Sequence, residues 1–269
     1  MDENAVDLEL DRAHSARMYD YYLGGRTNFL ADREAVGKLM AIFPAILVAA
    51  RANREFMHRS TRFLAESGLR QFLDIGTGIP TRPNLHEIAQ GVAPESRIVY
   101  VDNDPIVLAH AKALLQSHEA GRTAYVQADL AAPDDIMAAP ALREALDLAQ
   151  PVALSLNAVL HFVPDEQNAY GIVEQLKSAL APGSALAISH GTADFTPESV
   201  ARRGTEVLRA AGTASQGRSR AEVARFFDGW DLVEPGITVS HRWRMEEPEE
   251  LSDITDAEAS TYVAVARKP

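Results

Sequence analysis

The chain contains no cysteine, which excludes disulfide bonds, thiol nucleophiles and thiolate metal sites. Long apolar runs are also missing, because the most apolar stretch near the start, Ile42 to Ala50, is interrupted by Pro44 and followed by Arg51. A membrane-spanning helix needs about 20 predominantly apolar residues, so no membrane span is predicted. Residues 1–15 offer no apolar core of a secretory signal, and we therefore expect a cytoplasmic protein.

Positive charge is scarce as well. The chain has 26 Lys and Arg residues against 38 Asp and Glu residues, a net charge of −12. This charge opposes non-specific attraction to nucleic-acid phosphates, so no nucleic-acid partner is predicted. The eight histidines are scattered without a His-Glu-x-x-His motif, and no Gly-x-Ser-x-Gly motif occurs. We therefore expect neither a metal site nor serine-hydrolase chemistry.

Apolar residues, in contrast, make up 46% of the 269 positions, enough to build a large core. From residue 71 onward, apolar runs typical of strands alternate with helical patterns. Strands are predicted at residues 71–75, 97–101, 124–127, 152–156 and 185–189, and further strands at 231–233, 237–243 and 261–266. The alternation predicts parallel βαβ units, and hence an α/β fold with a doubly wound sheet.

A long amphipathic helix is predicted before the first strand, from Ala45 to Ser67. Its apolar residues recur mostly three or four positions apart, and Gly68 follows as a stop signal. The helix could cover the sheet or join two subunits, so a homodimer is one option.

The segment before this helix is rich in tyrosine, with Tyr19, Tyr21 and Tyr22 followed, after one leucine, by Gly24 and Gly25. The tyrosines could simply pin the segment to the domain by burying their rings. Alternatively, they could form a lid in which the rings attract a cationic cofactor and the glycines let the backbone approach it closely.

The sharpest motif is a glycine loop that follows the first predicted strand. Asp74 lies near the end of that strand, and Gly76 and Gly78 follow one residue apart. The next strand ends in Asp102, 24 residues after Gly78. Glycines give a ligand close access to backbone, and an acid at the tip of the second strand suits the hydroxyls of a ribose. The motif therefore predicts a nucleotide site.

The loop favours S-adenosylmethionine over NAD. Position 81 is a threonine instead of the third glycine of the dinucleotide motif, and prolines delay the next helix until about Asn84. The Asp74 carboxylate would repel a pyrophosphate but suits the ammonium group of an amino acid. A third strand closes on Asp129, which could accept a hydrogen bond from an adenine amine.

These motifs resemble those of the class I S-adenosylmethionine-dependent methyltransferases. More narrowly, the chain resembles a bacterial family of S-adenosyl methyltransferases long described as a domain of unknown function. The residues that carry the narrower resemblance are 16–25 (ARMYDYYLGG), 28–29 (NF), 32–33 (DR), 76–81 (GTGIPT), 99–105 (VYVDNDP), 227–229 (FDG) and 235–236 (PG).

The resemblance implies a Rossmann-like sheet of seven strands, mostly parallel with an antiparallel last strand, and a helical N-terminal cap. Residues 1–67 would form a lid segment and long helix packed on the core, and residues 68–269 the cofactor-binding domain. The glycine loop would lie under the methionine part, Asp102 would accept from the ribose, and Asp129, Leu130 and Asn103 would contact the adenine. Pro80 departs from the third glycine found in many class I enzymes, which affects the loop near the methionine end.

Chemistry is expected at the end of the fourth strand, since ligands of open α/β sheets bind beyond the carboxyl ends of the strands. Asn157 could contact the cofactor or the methyl acceptor, or merely stabilise a turn. His161 could be a general base, or a histidine packed under the following helix. Arg17 could pair with the cofactor carboxylate or with a nearby aspartate.

The complete set of candidate cofactor-binding residues comprises Asp74, Gly76, Thr77, Gly78, Asp102, Asn103, Asp129, Leu130, Asn157, Ala158, Tyr21, Tyr22, Gly24 and Asn28. His161 and Asn157 are the candidate catalytic residues. The predicted function is methyl transfer from S-adenosylmethionine, with S-adenosylhomocysteine as product, to a small molecule. Two alternatives are a non-catalytic S-adenosylmethionine-binding protein and an NAD-dependent oxidoreductase. A Tyr-x-x-x-Lys pair of the commonest short-chain oxidoreductases is missing, because Tyr170 is followed by Glu174.

Overall fold

The computed structural model describes residues 10–114, 116–245 and 253–269. The strands of its single mixed sheet are β1 (Gln71–Ile75), β2 (Arg97–Asp102), β3 (Arg122–Gln127), β4 (Ala153–Asn157), β5 (Ala185–Gly191), β6 (Asp231–Leu232), β7 (Thr238–Val239) and β8 (Thr261–Arg267). Their order is β3-β2-β1-β4-β5-β8-β6, and β7 also pairs with β8. Strands β1 to β5 are parallel, and β8 runs antiparallel to β5. The predicted α/β fold with an antiparallel last strand is confirmed.

The described residues contain eight strands where the resemblance implied seven. The difference arises at one edge, where β6 and β7 are two-residue strands that both pair with β8. The predicted strand at 237–243 is mostly wrong, because a 3-10 turn begins at Ser240. Arg59 holds this turn by donating to the carbonyl oxygens of Ser240 and Trp243, each over 2.8 Å.

Helices cover both faces of the sheet. They are α1 (Ser15–Tyr22), α2 (Leu30–Met40), α3 (Ile46–Glu66), α4 (Leu85–Val92), α5 (Pro105–Leu114), α6 (Pro133–Ala138), α7 (Pro140–Ala145), α8 (Ala169–Ser178), α9 (Glu198–Ala210), α10 (Arg220–Ala224) and α11 (Asp256–Ala259). In the described part of the chain, no helix is both long and apolar enough to cross a membrane.

The long predicted helix is α3, and it covers one face of the sheet. Phe56 and Leu64 of α3 are buried in a cluster with Phe72 of β1, Ile98 of β2 and Val263 of β8. Burying side chains of this size stabilises the fold by about 1.5–3 kcal/mol each. The apolar side of α3 is thus occupied within its own chain.

The sheet brings several loops to one edge, because β1, β2, β4 and β5 are parallel and end on the same side. The chain runs from β1 to β2 and β3 on one side of β1, and then crosses back to add β4 and β5 on the other side. Such a reversal of strand order opens a crevice between the loops, where open α/β sheets bind their ligands. The ends of β1, β2, β3 and β4 and the loops after them carry the predicted site residues outside the N-terminal segment.

Candidate active site

A cavity of about 650 Å³ lies at this edge of the sheet. Its floor consists of the loops that follow β1, β2, β3 and β4, and its other walls come from α1, α3, α9 and the residues after β5. The floor carries the three carboxylates of the lining, whereas the parts formed by residues 39–50 and by α9 are mainly apolar. The cavity therefore divides into a polar part and an apolar part.

The glycine loop forms the centre of the polar part. Gly76 and Gly78 have φ angles of +75° and +69°, a backbone conformation that favours glycine. A Cβ atom at Gly76 would lie 2.5 Å from a methyl group of Val159, whereas a Cβ at Gly78 would meet no atom within 4 Å. Gly76 thus permits close packing against the loop after β4, and Gly78 leaves open space above the strand ends.

Asp102 is buried at the end of β2, with 6% of its surface exposed. One carboxylate oxygen accepts from the N–H of Gly78 over 2.8 Å, and the other accepts from the N–H of Asp104 over 3.0 Å. Burial raises the pKa of Asp102, while the two backbone N–H groups act in the opposite direction. Since each carboxylate oxygen can accept a second hydrogen bond, the group can also accept from two ribose hydroxyls.

Asp74, Ser155 and Asn157 form a hydrogen-bonded row across β1 and β4. Asn157 donates through Nδ2 to the Ser155 hydroxyl over 2.7 Å, and Ser155 in turn interacts with the Asp74 carboxylate. Burial, the largest cause, raises the pKa of Asp74 to about 7, and the Arg54 guanidinium partly offsets that rise. The Oδ1 atom of Asn157 is buried and has no protein partner. The row therefore offers a cationic ligand group two acceptors, the Asp74 carboxylate and Asn157 Oδ1.

The loop after β3 supplies the opposite end of the polar part. Asp129 accepts through Oδ1 from the N–H of Ala131 over 2.8 Å, and Leu130 is buried beside it. Asn103, after β2, is exposed and lines the same cavity. An acid, an apolar side chain and an amide thus meet here, a combination that suits a flat base with an exocyclic amine.

Asn53 and Arg54 of α3 were missed by sequence reasoning, whereas Tyr19 of α1 was named only as part of the tyrosine cluster; all three line the cavity. Arg54 donates to the carbonyl oxygens of Thr81 and Pro83, while its Nε is buried without a partner. Asn53 donates to the Tyr19 hydroxyl over 2.8 Å, and its buried Oδ1 has no partner. The available signal was two polar residues on the side of α3 that otherwise presents apolar residues to the cavity.

The structure separates the candidate residues of the N-terminal segment. Tyr22 lines the cavity, whereas Tyr21 is exposed and, like Gly24 and Asn28, does not line it. Asn28 is buried within the cap, where it donates to Asp20 over 2.8 Å.

The residues of the cap also bind one another. A Cβ atom at Gly25 would lie 2.0 Å from the Asp20 carboxylate, so only glycine fits there. Arg17 pairs with Asp32, with Nε and Oδ1 3.4 Å apart, and does not line the cavity. Of the partners considered for Arg17, the structure thus shows a nearby aspartate.

The remaining candidates are one residue of the glycine loop, Thr77, and two residues that follow β4. Thr77, Ala158 and His161 all line the cavity. Ala158 has a φ angle of +53° and is held there by its N–H, which donates to the Ser189 hydroxyl over 2.8 Å. His161 follows in a 3-10 turn, Leu160–Phe162, and its ring is tilted by 59° against that of Phe162, with the ring centres 4.2 Å apart. Within the described residues, no group of three or more His, Cys, Asp or Glu side chains is arranged to hold a metal ion.

The residues of the polar part are suited to binding S-adenosylmethionine. The unpartnered Asn157 Oδ1 and the Asp74 carboxylate suit the ammonium, and the open space above Gly78 leaves room for the methionine chain. Asp102 suits the ribose. A sheet of this order with these acids at its strand ends defines a class I S-adenosylmethionine-dependent methyltransferase.

Comparison with known proteins identifies the family. A model of an S-adenosyl methyltransferase family matches residues 1–269. A solved DUF574 family protein from Streptomyces avermitilis is 51% identical, with a TM-score of 0.93 over 98% of this chain and 100% of that one. A candidate methyltransferase from Thermobifida fusca is 34% identical, with a TM-score of 0.88 over 100% and 99% of the two chains. The chain belongs to this S-adenosyl methyltransferase family and uses S-adenosylmethionine as its cofactor.

A more distant likeness extends to the fold alone. An O-methyltransferase family protein from Burkholderia thailandensis is 14% identical, with a TM-score of 0.53 over 83% of this chain and 59% of that one. No curated protein matches the chain significantly. The predicted enzyme class, an S-adenosylmethionine-dependent methyltransferase, is confirmed by the family.

Proposed function

We propose that this methyltransferase acts on a small, mainly apolar molecule that binds in the outer part of the cavity. The observation that carries the proposal is the character of the walls there. They are formed by residues of the N-terminal segment (Tyr22, Leu39, Ile42, Phe43, Ile46 and Ala49) and of α9 (Val200, Ala201, Gly204 and Leu208). A concave apolar surface with few polar groups is typical of sites for small organic ligands.

In the proposed arrangement, each end of the cofactor is held by its own residues. Asp102 accepts from the ribose, Asp129 and Leu130 contact the adenine beside Asn103, and Asp74 with Asn157 accepts from the ammonium. Arg54, whose Nε is buried without a partner, binds the carboxylate. Gly76, Thr77, Gly78 and Ala158 provide the backbone that lies against the methionine part.

The cofactor supplies a methyl group that is already activated on a sulfonium. The protein's contribution is therefore mainly to bind the acceptor, orient it and exclude water, since positioning alone can lower the barrier by several kcal/mol. The apolar side chains from α3 and α9 exclude water from the outer cavity. Tyr22 lies where the cap meets this part, 6.4 Å from the Tyr19 ring in an edge-to-face contact.

Further expectations from the sequence remain proposals. We propose a cap of residues 1–67 on a cofactor-binding domain of residues 68–269, with residues 1–9 outside the described part of the chain. A cytoplasmic location, no nucleic-acid partner and a homodimer as one option also stay predictions. Cell fractionation and light scattering of the purified protein test the location and the oligomeric state.

The acceptor class can be tested by measuring S-adenosylhomocysteine formation with two fractions of a cell extract, the low-molecular-weight filtrate and the retained macromolecules. We expect turnover with the filtrate alone. Asp102→Ala should abolish it, whereas Asp231→Ala, an exposed aspartate of β6 outside the cavity, should not change it. Turnover that requires the macromolecular fraction would contradict the proposal.

A further inference from the structure

Arg218 is fully buried and makes five hydrogen bonds, as many as it has N–H groups. Nη1 donates to the Leu160 carbonyl over 3.1 Å and to His190 Nε2 over 2.7 Å. Nη2 donates to the Val163 carbonyl over 2.9 Å and to Asp165 over 2.7 Å, and Nε donates to the same Asp165 oxygen over 3.2 Å. The guanidinium also lies 5.2 Å from the centre of the Phe226 ring. This arrangement fixes the turn that carries His161 from both of its ends, at Leu160 and Val163.

The contact with Arg218 also determines which nitrogen of His190 carries a proton. A guanidinium only donates hydrogen bonds, so Nε2 of His190 must accept and be unprotonated. The proton of a neutral ring is then on Nδ1, which lies 2.8 Å from the Gly191 carbonyl and donates to it. His190 thereby binds the residue whose N–H faces His161.

His161 is the next residue in the chain of hydrogen bonds that begins at Arg218. The N–H of Gly191 donates to Nδ1 of His161 over 3.4 Å, so that Nδ1 is the accepting nitrogen. A neutral ring then carries its proton on Nε2. None of the described residues forms a hydrogen bond with Nε2, and the ring lines the cavity. The hydrogen-bonding atom that His161 presents to the cavity is thus an N–H donor.

We propose that Arg218 is a positioning residue that holds His161 as a neutral Nε2–H donor, and that this donor binds an oxygen atom of the methyl acceptor. The acceptor is accordingly a mainly apolar small molecule with an oxygen atom that can accept a hydrogen bond, such as a carbonyl or a hydroxyl oxygen. This inference rests on the proposed function, because it concerns the same cavity. It gives His161 a substrate-binding role instead of that of a proton acceptor.

The surroundings of His161 also favour its neutral form. Burial and the Arg218 cation lower the pKa of His161 to about 4. His190, whose ring centre is 5.7 Å away, also has a lowered pKa because of burial. Asp165, whose carboxylate acts on His190, is paired with Arg218 over 2.7 Å. At neutral pH, both histidines are therefore uncharged.

The tautomers can be read directly by long-range proton–nitrogen NMR of the full-length protein labelled with ¹⁵N-histidine. His161→Gln and His190→Gln identify the two rings among the eight histidines of the chain. We expect His161 as the Nε2–H form and His190 as the Nδ1–H form, both neutral from pH 6 to pH 8. An Nδ1–H form of His161, or a ring that titrates in this range, would overturn the proposal.

Arg218→Lys tests the positioning role, because it keeps the charge but has fewer donors in a different geometry. We expect a mixture of His161 tautomers in this variant, with S-adenosylhomocysteine affinity within about twofold of the wild type. An unchanged pure Nε2–H form would overturn the role of Arg218. If that variant does not fold, the same NMR measurement is made on Asp165→Asn, which removes one charged partner of Arg218.

Turnover on the acceptor-containing filtrate distinguishes a donor from a base. The side-chain amide of His161→Gln can still donate, whereas His161→Phe cannot. We expect His161→Gln to keep at least a tenth of the wild-type rate and His161→Phe to lose about 100-fold. Equal losses in both would overturn the donor role. Calorimetry with S-adenosylhomocysteine on the same samples separates this result from a failure of the cofactor site itself.

Discussion

The backbone N–H of Gly78 donates to the carboxylate of Asp102 over 2.8 Å, and this bond joins the loop after β1 to the end of β2. The same carboxylate receives the N–H of Asp104, so two loops depend on one buried acid. The residue expected to bind the ribose thus also shapes the loop expected to lie under the methionine. Binding and local structure cannot be separated at this position.

The two glycines of the loop provide a matched pair of substitutions. Gly78→Ala introduces a side chain at positive φ, which costs about 1–2 kcal/mol, but its Cβ meets open space. Gly76→Ala has the same backbone cost and also a Cβ 2.5 Å from Val159, which adds about 1–3 kcal/mol. We expect Gly76→Ala to be the less stable variant in urea denaturation, and Val159→Ala to restore part of its loss. Equal stability of the two single variants would contradict the packing described here.

The pKa of Asp74, raised to about 7 by burial, predicts opposite effects on stability and binding. The folded protein holds this proton more tightly than the unfolded chain, so the associated stability is present below the unfolded pKa and is lost as the pH rises through 7. Asp74→Asn should therefore stabilise the apoprotein at pH 8, by at most about 4 kcal/mol. Thermal unfolding at pH 5 and pH 8 measures the difference.

Cofactor affinity should respond in the other direction, because the ammonium needs the ionised form of Asp74. In the wild type, we expect affinity for S-adenosylhomocysteine to fall as the pH is lowered from 8 to 6. Asp74→Asn should bind about 10-fold or more weakly at pH 8 and show a flatter pH profile. A variant that keeps the wild-type profile would show that another group is responsible.

Arg54 is expected to bind the carboxylate of the cofactor's amino-acid part. Loss of a charged hydrogen-bond partner costs about 1.5–3 kcal/mol, so Arg54→Gln should weaken S-adenosylhomocysteine binding by about 10-fold or more. The affinity for 5′-methylthioadenosine, which lacks the amino-acid part, should stay unchanged. Calorimetry with both ligands makes the comparison, and equal losses would place Arg54 elsewhere in the site.

The lid hypothesis now distinguishes two neighbouring tyrosines. Tyr22 lines the cavity, and Tyr21 is exposed with 37% of its surface accessible. We expect Tyr22→Ala to reduce turnover on the filtrate at least 5-fold and Tyr21→Ala to leave it within about twofold. The kinetic assay measures S-adenosylhomocysteine release. If neither substitution changes turnover or cofactor affinity, the tyrosines do not form a lid.

The strand ends were predictable from the sequence because their signals are local. Asp74 lies near the end of one apolar run and Gly76 and Gly78 follow it, Asp102 closes the next run, and parallel strands bring their carboxyl ends to one edge. The delayed helix, predicted to begin at about Asn84, is α4, and Asn84 and Glu87 form a capping box at its start. These elements depend on residues within a few positions of one another.

Other features of the site and fold depended on packing between distant segments and could not be predicted from the sequence. Adjacent residues on a helix point about 100° apart, so the sequence could not show that Tyr22 faces the cavity and Tyr21 faces solvent. Arg54 and Asn53 interrupt an apolar helix side, but only the placement of α3 against the strand ends makes them part of a site. The turn at Ser240 depends on Arg59, 181 positions earlier.

The central claim is that the polar part of the cavity binds S-adenosylmethionine through Asp102. Calorimetric titration of the purified protein with S-adenosylmethionine, S-adenosylhomocysteine and NAD tests it, with Asp102→Ala and the exposed-site control Asp231→Ala in parallel. We expect micromolar binding of the first two ligands, no binding of NAD, loss in Asp102→Ala and wild-type affinity in Asp231→Ala. Absence of S-adenosylmethionine binding by the wild type, or its full retention in Asp102→Ala, would contradict this account of the site.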